Sequence, residues 1–288
     1  MKQRVISGIV VAAIAVAAIL IGGYVLDILV LLFGGIGIFE FYNAFSKRGY
    51  APIQLFGILY IVLLALMMYF DGDSYLSIMV EAKAFGRVNL FPPIFLLGML
   101  ILLALLVFRH EAYNAADAAI TVFGGFYVLF LISYFVKLRD LEGGVYLFFL
   151  ALIGAVATDT FAYFIGRAFR AFGKRKLIEE ISPNKTVAGC VGGFVGSIAV
   201  LMIYGIVLWF TEAYRGLPLY HYAIIGAITG IVSQIGDLAA SAIKRYAGIK
   251  DFGKIIPGHG GILDRIDSYL FAIPVVYYYL LFCGIGGA

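Results

Sequence analysis

Apolar runs of about 20 residues recur along this 288-residue chain, and no other feature limits its fold so severely. A helix of that length crosses the roughly 30 Å hydrocarbon core of a bilayer, where every backbone polar group must be satisfied internally. Nine such runs lie near Val5–Ile21, Val25–Phe45, Pro52–Phe70, Phe91–Phe108, Ala118–Leu138, Val145–Gly166, Val187–Phe210, Tyr220–Lys244 and Tyr269–Cys283. The first follows Met-Lys-Gln-Arg as a secretory signal would, but its core is long and leads almost directly into a second run, so it reads as a retained helix. The stretch Asp71 to Val88 is too polar to span; Tyr75, Leu76, Ile78, Met79 and Val80 among its acids point to a segment lying in the interface. With 63% hydrophobic and only 13% charged residues, a soluble globular domain is excluded. The expected fold is an all-α polytopic integral membrane protein.

Basic residues set the orientation, because Lys and Arg accumulate in cytoplasmic loops. A cytoplasmic N-terminus puts 16 of the 21 Lys and Arg residues on the cytoplasmic side and leaves Lys83, Arg87, Lys137, Arg139 and Arg215 outside. Nine spans, N-terminus in and C-terminus out, follow from that split, with residence in the cytoplasmic (inner) membrane. A net charge of +4 without a basic arm gives nucleic acid no footing. Cys190 and Cys283 sit in apolar stretches without Cys-x-x-Cys spacing and read as buried apolar side chains. Residues 1–144 read as a helical scaffold, available for dimerisation, and 145–288 as the part that carries a polar site. Gly189, Gly192, Gly193 and Gly196, with Gly226 and Gly230, have the spacing of close helix packing, either within a subunit or between two.

The charges are unevenly placed: nine lie between Asp159 and Lys185 and nine between Asp237 and Asp267. Ionisable groups inside spans are costly unless they face a cavity or a partner, and Glu40, Asp159 and Asp237 are such groups. Ser233, Asp237, Ser241 and Lys244 fall on one helix face, which either lines a cavity or holds one structural Asp–Lys pair. Glu40, among Phe39, Phe41 and Tyr42, reads as structural. The following loop carries Lys244, Arg245, Lys250, Asp251, Lys254, Pro257-Gly258-His259-Gly260-Gly261, Asp264, Arg265 and Asp267. Five bases around a glycine-flanked turn suit a polyphosphate, and the acids beside them suit a hard divalent cation bridging carboxylate to phosphate. Arg170, Lys174, Arg175 and Lys176 read as topology-setting or lipid-touching residues; Lys185, ahead of a glycine-rich helix start, is better placed for chemistry.

The run Ser241-Ala242-Ile243-Lys244-Arg245, Lys250-Asp251, Pro257 to Asp267 closely resembles the signature of the phosphatidate cytidylyltransferase (CDP-diacylglycerol synthase) family. Asp159-Thr160-Phe161-Ala162-Tyr163 with Gly166-Arg167, and Ser182-Pro183-Asn184-Lys185-Thr186 leading into Gly192-Gly193, agree with it. The likeness runs from about residue 150 to the C-terminus. It implies transfer of a cytidylyl group from CTP to phosphatidic acid with release of pyrophosphate, dependence on Mg²⁺ with a monovalent second cation left open, and a homodimer in the bilayer. On that resemblance Asp237 and Asp264 hold the metal, Asp267 and Asp159 assist them, and Lys244, Arg245, Lys250, Lys254 and Arg265 bind phosphates. Asp251 belongs to the substrate-binding set, Ser241 and His259 supply hydrogen bonds, and Lys185 guides the phosphatidate. The competing readings are a CTP-dependent lipid kinase, which shares a similar core, and an ion-coupled transporter, which would show symmetry between its halves.

Overall fold

The computed structural model describes residues 2–69, 79–82, 86–89, 91–169, 176–256, 258 and 260–285. Ten α-helical segments make up most of it: α1 (Lys2–Ile21), α2 (Gly23–Ser46), α3 (Gln54–Tyr69), α4 (Phe91–Phe108), α5 (Ala115–Gly124), α6 (Leu131–Asp140), α7 (Gly144–Ala168), α8 (Val187–Phe210), α9 (Leu219–Tyr246) and α10 (Leu263–Phe282). A π-helical turn, Gly125–Phe130, joins α5 to α6 in one continuous helix, Ala115–Asp140. Among the described residues five helices are long and apolar enough to cross a membrane: α2, the α5–α6 helix, α7, α8 and α9. Three shorter apolar helices are Ser7–Ile21, Gln54–Leu66 and Pro93–Phe108. The expected runs therefore recur as helices, and the chain has the build of a multi-pass membrane protein. Its outer surface agrees: Leu96, Leu100, Val107 and Phe108 on α4 are exposed, a pattern that suits hydrocarbon rather than water.

Two antiparallel hairpins depart from the all-helical expectation. β1 (Met79–Ala82) pairs with β2 (Gly86–Asn89), so Met79 and Val80 belong to a strand. Tyr75, Leu76 and Ile78 lie outside the described residues. β3 (Lys176–Ile178) pairs with β4 (Ser182–Thr186), and β4 delivers the chain into α8, where the Thr186 hydroxyl accepts the Gly189 N–H at 3.1 Å. Arg170, Lys174 and Arg175 lie outside the described residues.

Helices α7, α8, α9 and α10 pack tightly on one another, with α2 and α6 against α10. Small residues set that closeness. A Cβ on Gly193 would stand 2.7 Å from the Thr158 carbonyl oxygen of α7, and one on Gly226 would stand 2.7 Å from the Ile198 Cα of α8. The glycine stripes are thus filled by neighbouring helices of the same chain. Ser197 and Thr229, 3.0 Å apart, join α8 to α9 in the buried interior. At the opposite end of the bundle, Arg139 donates from Nε to the Ile19 carbonyl at 2.7 Å, closing the C-terminus of α1. α10 begins at Leu263, six positions before the expected start of the last span, which brings Asp264 and Asp267 inside the helix.

Candidate functional site

The C-terminal ends of α2, α7 and α9 and the N-terminal ends of α8 and α10 meet at one end of the bundle, and Asp159, Lys185, Asp237, Lys244, Asp264 and Asp267 collect there. Lys185 Nζ lies 2.7 Å from Asp237 Oδ2 and 3.5 Å from the Gln234 carbonyl. Lys244 Nζ lies 2.8 Å from Asp264 Oδ1 and 3.9 Å from Asp267 Oδ2. Asp237 and Lys244, though on one face of α9, do not pair with each other; each reaches to another element. Asp159 sits within the electrostatic reach of Asp237 and Lys185, and Asp267 within that of Asp237 and Asp264. Four carboxyl groups thus stand against two lysines, Asp264 and Asp267 buried, Asp237 half-buried and Asp159 exposed.

Asp264 is 8% exposed and fully engaged. Besides Lys244, it accepts the Phe252 N–H at 2.8 Å and the Gly261 N–H at 3.0 Å through Oδ2. Glu40, reaching across from α2, accepts the Ile262 N–H at 3.2 Å and the Leu263 N–H at 2.9 Å. The first N–H groups of a helix have no partner within it and carry partial positive charge, so Glu40 satisfies the start of α10 while Asp264 holds the loop ahead of it. This explains the glycines of the loop. A side chain on Gly253 or Gly261 would overlap the Glu40 carboxylate, and Gly260, at φ +86°, places its backbone against Asp264 and Asp251. Glu40 is therefore structural, as its sequence surroundings suggest, but its structural work is to hold the most charged loop of the chain.

Outside this cluster lies a cavity of about 430 Å³ lined by Lys250, Asp251, Gly253, Lys254, Ile256, Gly258, Gly260 and Arg265. The side chains of Lys250, Lys254 and Arg265 make no hydrogen bond or ion pair among the described residues, so their charges are available to an anion. Arg245 is otherwise engaged: its guanidinium faces the Ile181 and Ile249 carbonyls, each at 3.4 Å, tying α9 to the β3–β4 turn. Ser241 is half-buried and forms no hydrogen bond among the described residues. His259 and Pro257 lie outside them.

Tyr127 is a residue that reading the sequence misses. It is 2% exposed, its hydroxyl has no hydrogen-bond partner among the described residues, and the charges of Asp237, Asp264 and Asp267 act on it. It sits in the π-helical turn, an arrangement often found at functional sites. Periodicity places Tyr127 in a span among other aromatics and gives no sign that a π turn redirects it.

Among the described residues no three carboxylate, histidine or cysteine side chains converge into a closed metal cage. The donors present nonetheless suit Mg²⁺, which takes one or two protein carboxylates and completes its shell with water and substrate phosphates. Among the described residues Asp237 Oδ1 has no partner and Asp267 Oδ2 has only the lysine at 3.9 Å. Asp264 is the least available, because both its oxygens are already bonded.

A bundle of membrane-type helices that gathers acids, lysines and an anion-ready cavity at one end is the build of a membrane enzyme acting on phosphate-bearing substrates. Comparison with known proteins narrows the class. The model of the Cytidylyltransferase family matches residues 2–283, and this chain belongs to that family. It is 33% identical to a phosphatidate cytidylyltransferase of Bacillus subtilis, with 97% of each chain covered. It is 34% identical to the enzyme of that name from Staphylococcus saprophyticus, over 96% of this chain and 97% of that protein. Phosphatidate cytidylyltransferase 4, chloroplastic, of Arabidopsis thaliana is 32% identical over 97% of this chain and 73% of its own.

Proposed function

We propose that this chain transfers the cytidylyl group of CTP to phosphatidic acid, forming CDP-diacylglycerol and pyrophosphate for phospholipid synthesis. Family membership over nearly the whole chain supports the reaction. The observation that carries the assignment to this site is the loop from Lys250 to Arg265, which sets a basic cavity directly against a carboxylate–lysine cluster. A phosphate oxygen of the lipid attacks the α-phosphorus of CTP, the bond from that phosphorus to the bridging oxygen breaks, and pyrophosphate leaves with the electron pair. The acceptor is already ionised, so no nucleophilic side chain is required. Both reactants are anions, and neutralisation with alignment supplies most of the acceleration.

In this reading Lys250, Lys254 and Arg265 hold phosphates in the cavity, while Asp251 shapes its wall. Lys185 and Lys244 balance the acids and turn toward substrate oxygens as these enter. Tyr127 sets its buried hydroxyl near the acids of the cluster, and Ser241 lies one turn before Lys244 on α9. Mg²⁺, when bound, supplies positive charge to the transferring phosphate; Asp237 and Asp267 would hold it, with Asp264 ordering the loop and Asp159 adding field. Arg245 is assigned to holding the loop, and His259 to a hydrogen bond with substrate. The finer topology belongs to the same proposal: nine spans, N-terminus cytoplasmic, C-terminus outside, in the inner membrane, with the site open to cytoplasmic CTP. A homodimer rests on the family resemblance alone, since the glycine stripes are occupied within the chain.

Detergent-purified protein given CTP and phosphatidic acid should form a cytidine-containing lipid and pyrophosphate in equal amounts, lose activity on chelation and regain it with Mg²⁺. Release of CDP with a phosphorylated lipid alcohol would instead establish the lipid-kinase reading.

A further inference from the structure

Tyr127 carries its hydroxyl into the polar end of the bundle on a clamped ring. The ring stacks on Phe123 with centroids 5.7 Å apart, and it meets Phe41 of α2 at 5.8 Å and Phe271 of α10 at 6.3 Å. Asp267 stands four residues before Phe271 on the same face of α10, and of the three acids that act on the hydroxyl its charge acts most strongly. Two glycines allow this depth. A Cβ on Gly124 would stand 2.6 Å from the Tyr42 ring, and one on Gly125 would stand 2.5 Å from the Tyr60 ring. The Tyr42 hydroxyl donates to the Thr121 carbonyl at 2.8 Å, so α2 holds the helix just ahead of its π turn. A buried hydroxyl without a partner costs stability that phenylalanine in the same place would not.

Asp267 has the complementary need. Its Oδ1 accepts the Ser268 N–H at 2.8 Å. Among the described residues its Oδ2 has only Lys244 Nζ at 3.9 Å, beyond hydrogen-bond reach, because that ammonium is bonded to Asp264 at 2.8 Å. An unpaired donor and an underused acceptor thus share one buried corner between the π turn and α10.

We infer that Tyr127 is a positioning residue for the reaction: its hydroxyl donates to Asp267 Oδ2 and orients that carboxylate toward the divalent cation. The inference rests on the proposed reading of Asp267 as a carboxylate that holds Mg²⁺ with Asp237. A carboxylate oxygen carries two lone pairs, so Oδ2 accepts from Tyr127 with one and keeps the other for the cation. Hydrogen bonds of this kind behind a metal ligand fix its orientation, and losing one typically lowers metal affinity or activity by about 10- to 100-fold. The aromatic clamp serves the same end, since a ring held by Phe41, Phe123 and Phe271 offers its hydroxyl in one place only.

The test uses full-length protein in detergent with Mn²⁺ as the probe in place of Mg²⁺, the free ion being followed by electron paramagnetic resonance, so that no turnover is needed. Asp267→Asn should weaken Mn²⁺ binding, which checks the carboxylate by itself. Tyr127→Phe should weaken it by about tenfold or more, with a thermal unfolding midpoint no lower than that of wild type. With CTP and phosphatidic acid, Tyr127→Phe should lower kcat by about tenfold and leave the KM for CTP within about twofold. Added to Asp267→Asn, it should cost less than about twofold more, because the hydroxyl acts only through that carboxylate. Equal Mn²⁺ affinity in Tyr127→Phe and wild type would overturn the role of the hydroxyl while leaving the metal and the reaction in place. Mn²⁺ affinity untouched by Asp267→Asn would overturn the carboxylate assignment and the inference with it. Fully additive losses in the double variant, or a raised KM for CTP with kcat unchanged, would place the hydroxyl's action elsewhere and overturn the inference.

Discussion

Asp264 shows how much one side chain can organise when buried charge has to be satisfied. It joins Lys244 to two backbone N–H groups of the loop, so Asp264→Asn would take from a lysine of 12% side-chain exposure its nearest carboxylate and set an amide donor against other donors. Breaking such a pair costs about 3–5 kcal/mol, and turnover should fall by about 100-fold or more; a thermal unfolding scan and a steady-state assay check the two effects. Near-normal turnover in a folded variant would remove Asp264 from the account. Tyr127→Phe deletes only a hydroxyl that lacks a partner among the described residues, so stability should be kept while kcat falls, as measured on purified protein. The acids and bases of this site are legible in the sequence because a charge inside an apolar run has to answer to some partner. Their pairings are not: Asp237 with Lys185, and Lys244 with Asp264, join residues 52 and 20 positions apart. Tyr127 leaves no trace, since one more aromatic in an aromatic-rich span looks like packing.

Among the elements, the loop between α9 and α10 depends on a helix far earlier in the chain. Glu40 holds the Ile262 and Leu263 N–H groups, and Gly253 and Gly261 leave it room. Gly261→Ala should therefore displace the loop without unfolding the bundle, and a displacement of about 1 Å is enough to lower kcat by about 100-fold. Glu40→Gln should act in the same direction by turning one acceptor into a donor against buried N–H groups, at about 1–3 kcal/mol. Circular dichroism with a CTP-binding measurement distinguishes a displaced loop from a lost fold. The helices themselves were legible, because an apolar run of membrane length has few alternatives. The early start of α10 was not: Asp264, Arg265 and Asp267 break hydropathy, while the helix continues through them because Glu40 accepts the Ile262 and Leu263 N–H groups at its start. The β1–β2 hairpin escaped for a related reason, as Met79 and Val80 fit an interfacial segment as well as a strand.

At the scale of the whole molecule, the unequal distribution of charge becomes geometry. Acids and lysines of the two charged segments meet at one end of an apolar bundle. A cysteine introduced at Lys254, in the loop, should react with a membrane-impermeant maleimide only after cells are permeabilised, and one at Arg215 should react in intact cells; the reverse pattern would invert the proposed topology. The central claim, cytidylyl rather than phosphoryl transfer, is tested most directly by position-labelled CTP. With purified protein and phosphatidic acid, label in the α-phosphate should enter the lipid fraction while label in the γ-phosphate is recovered as pyrophosphate. Entry of γ-label into lipid, or no transfer of α-label by a folded and Mg²⁺-supplied protein, would contradict it.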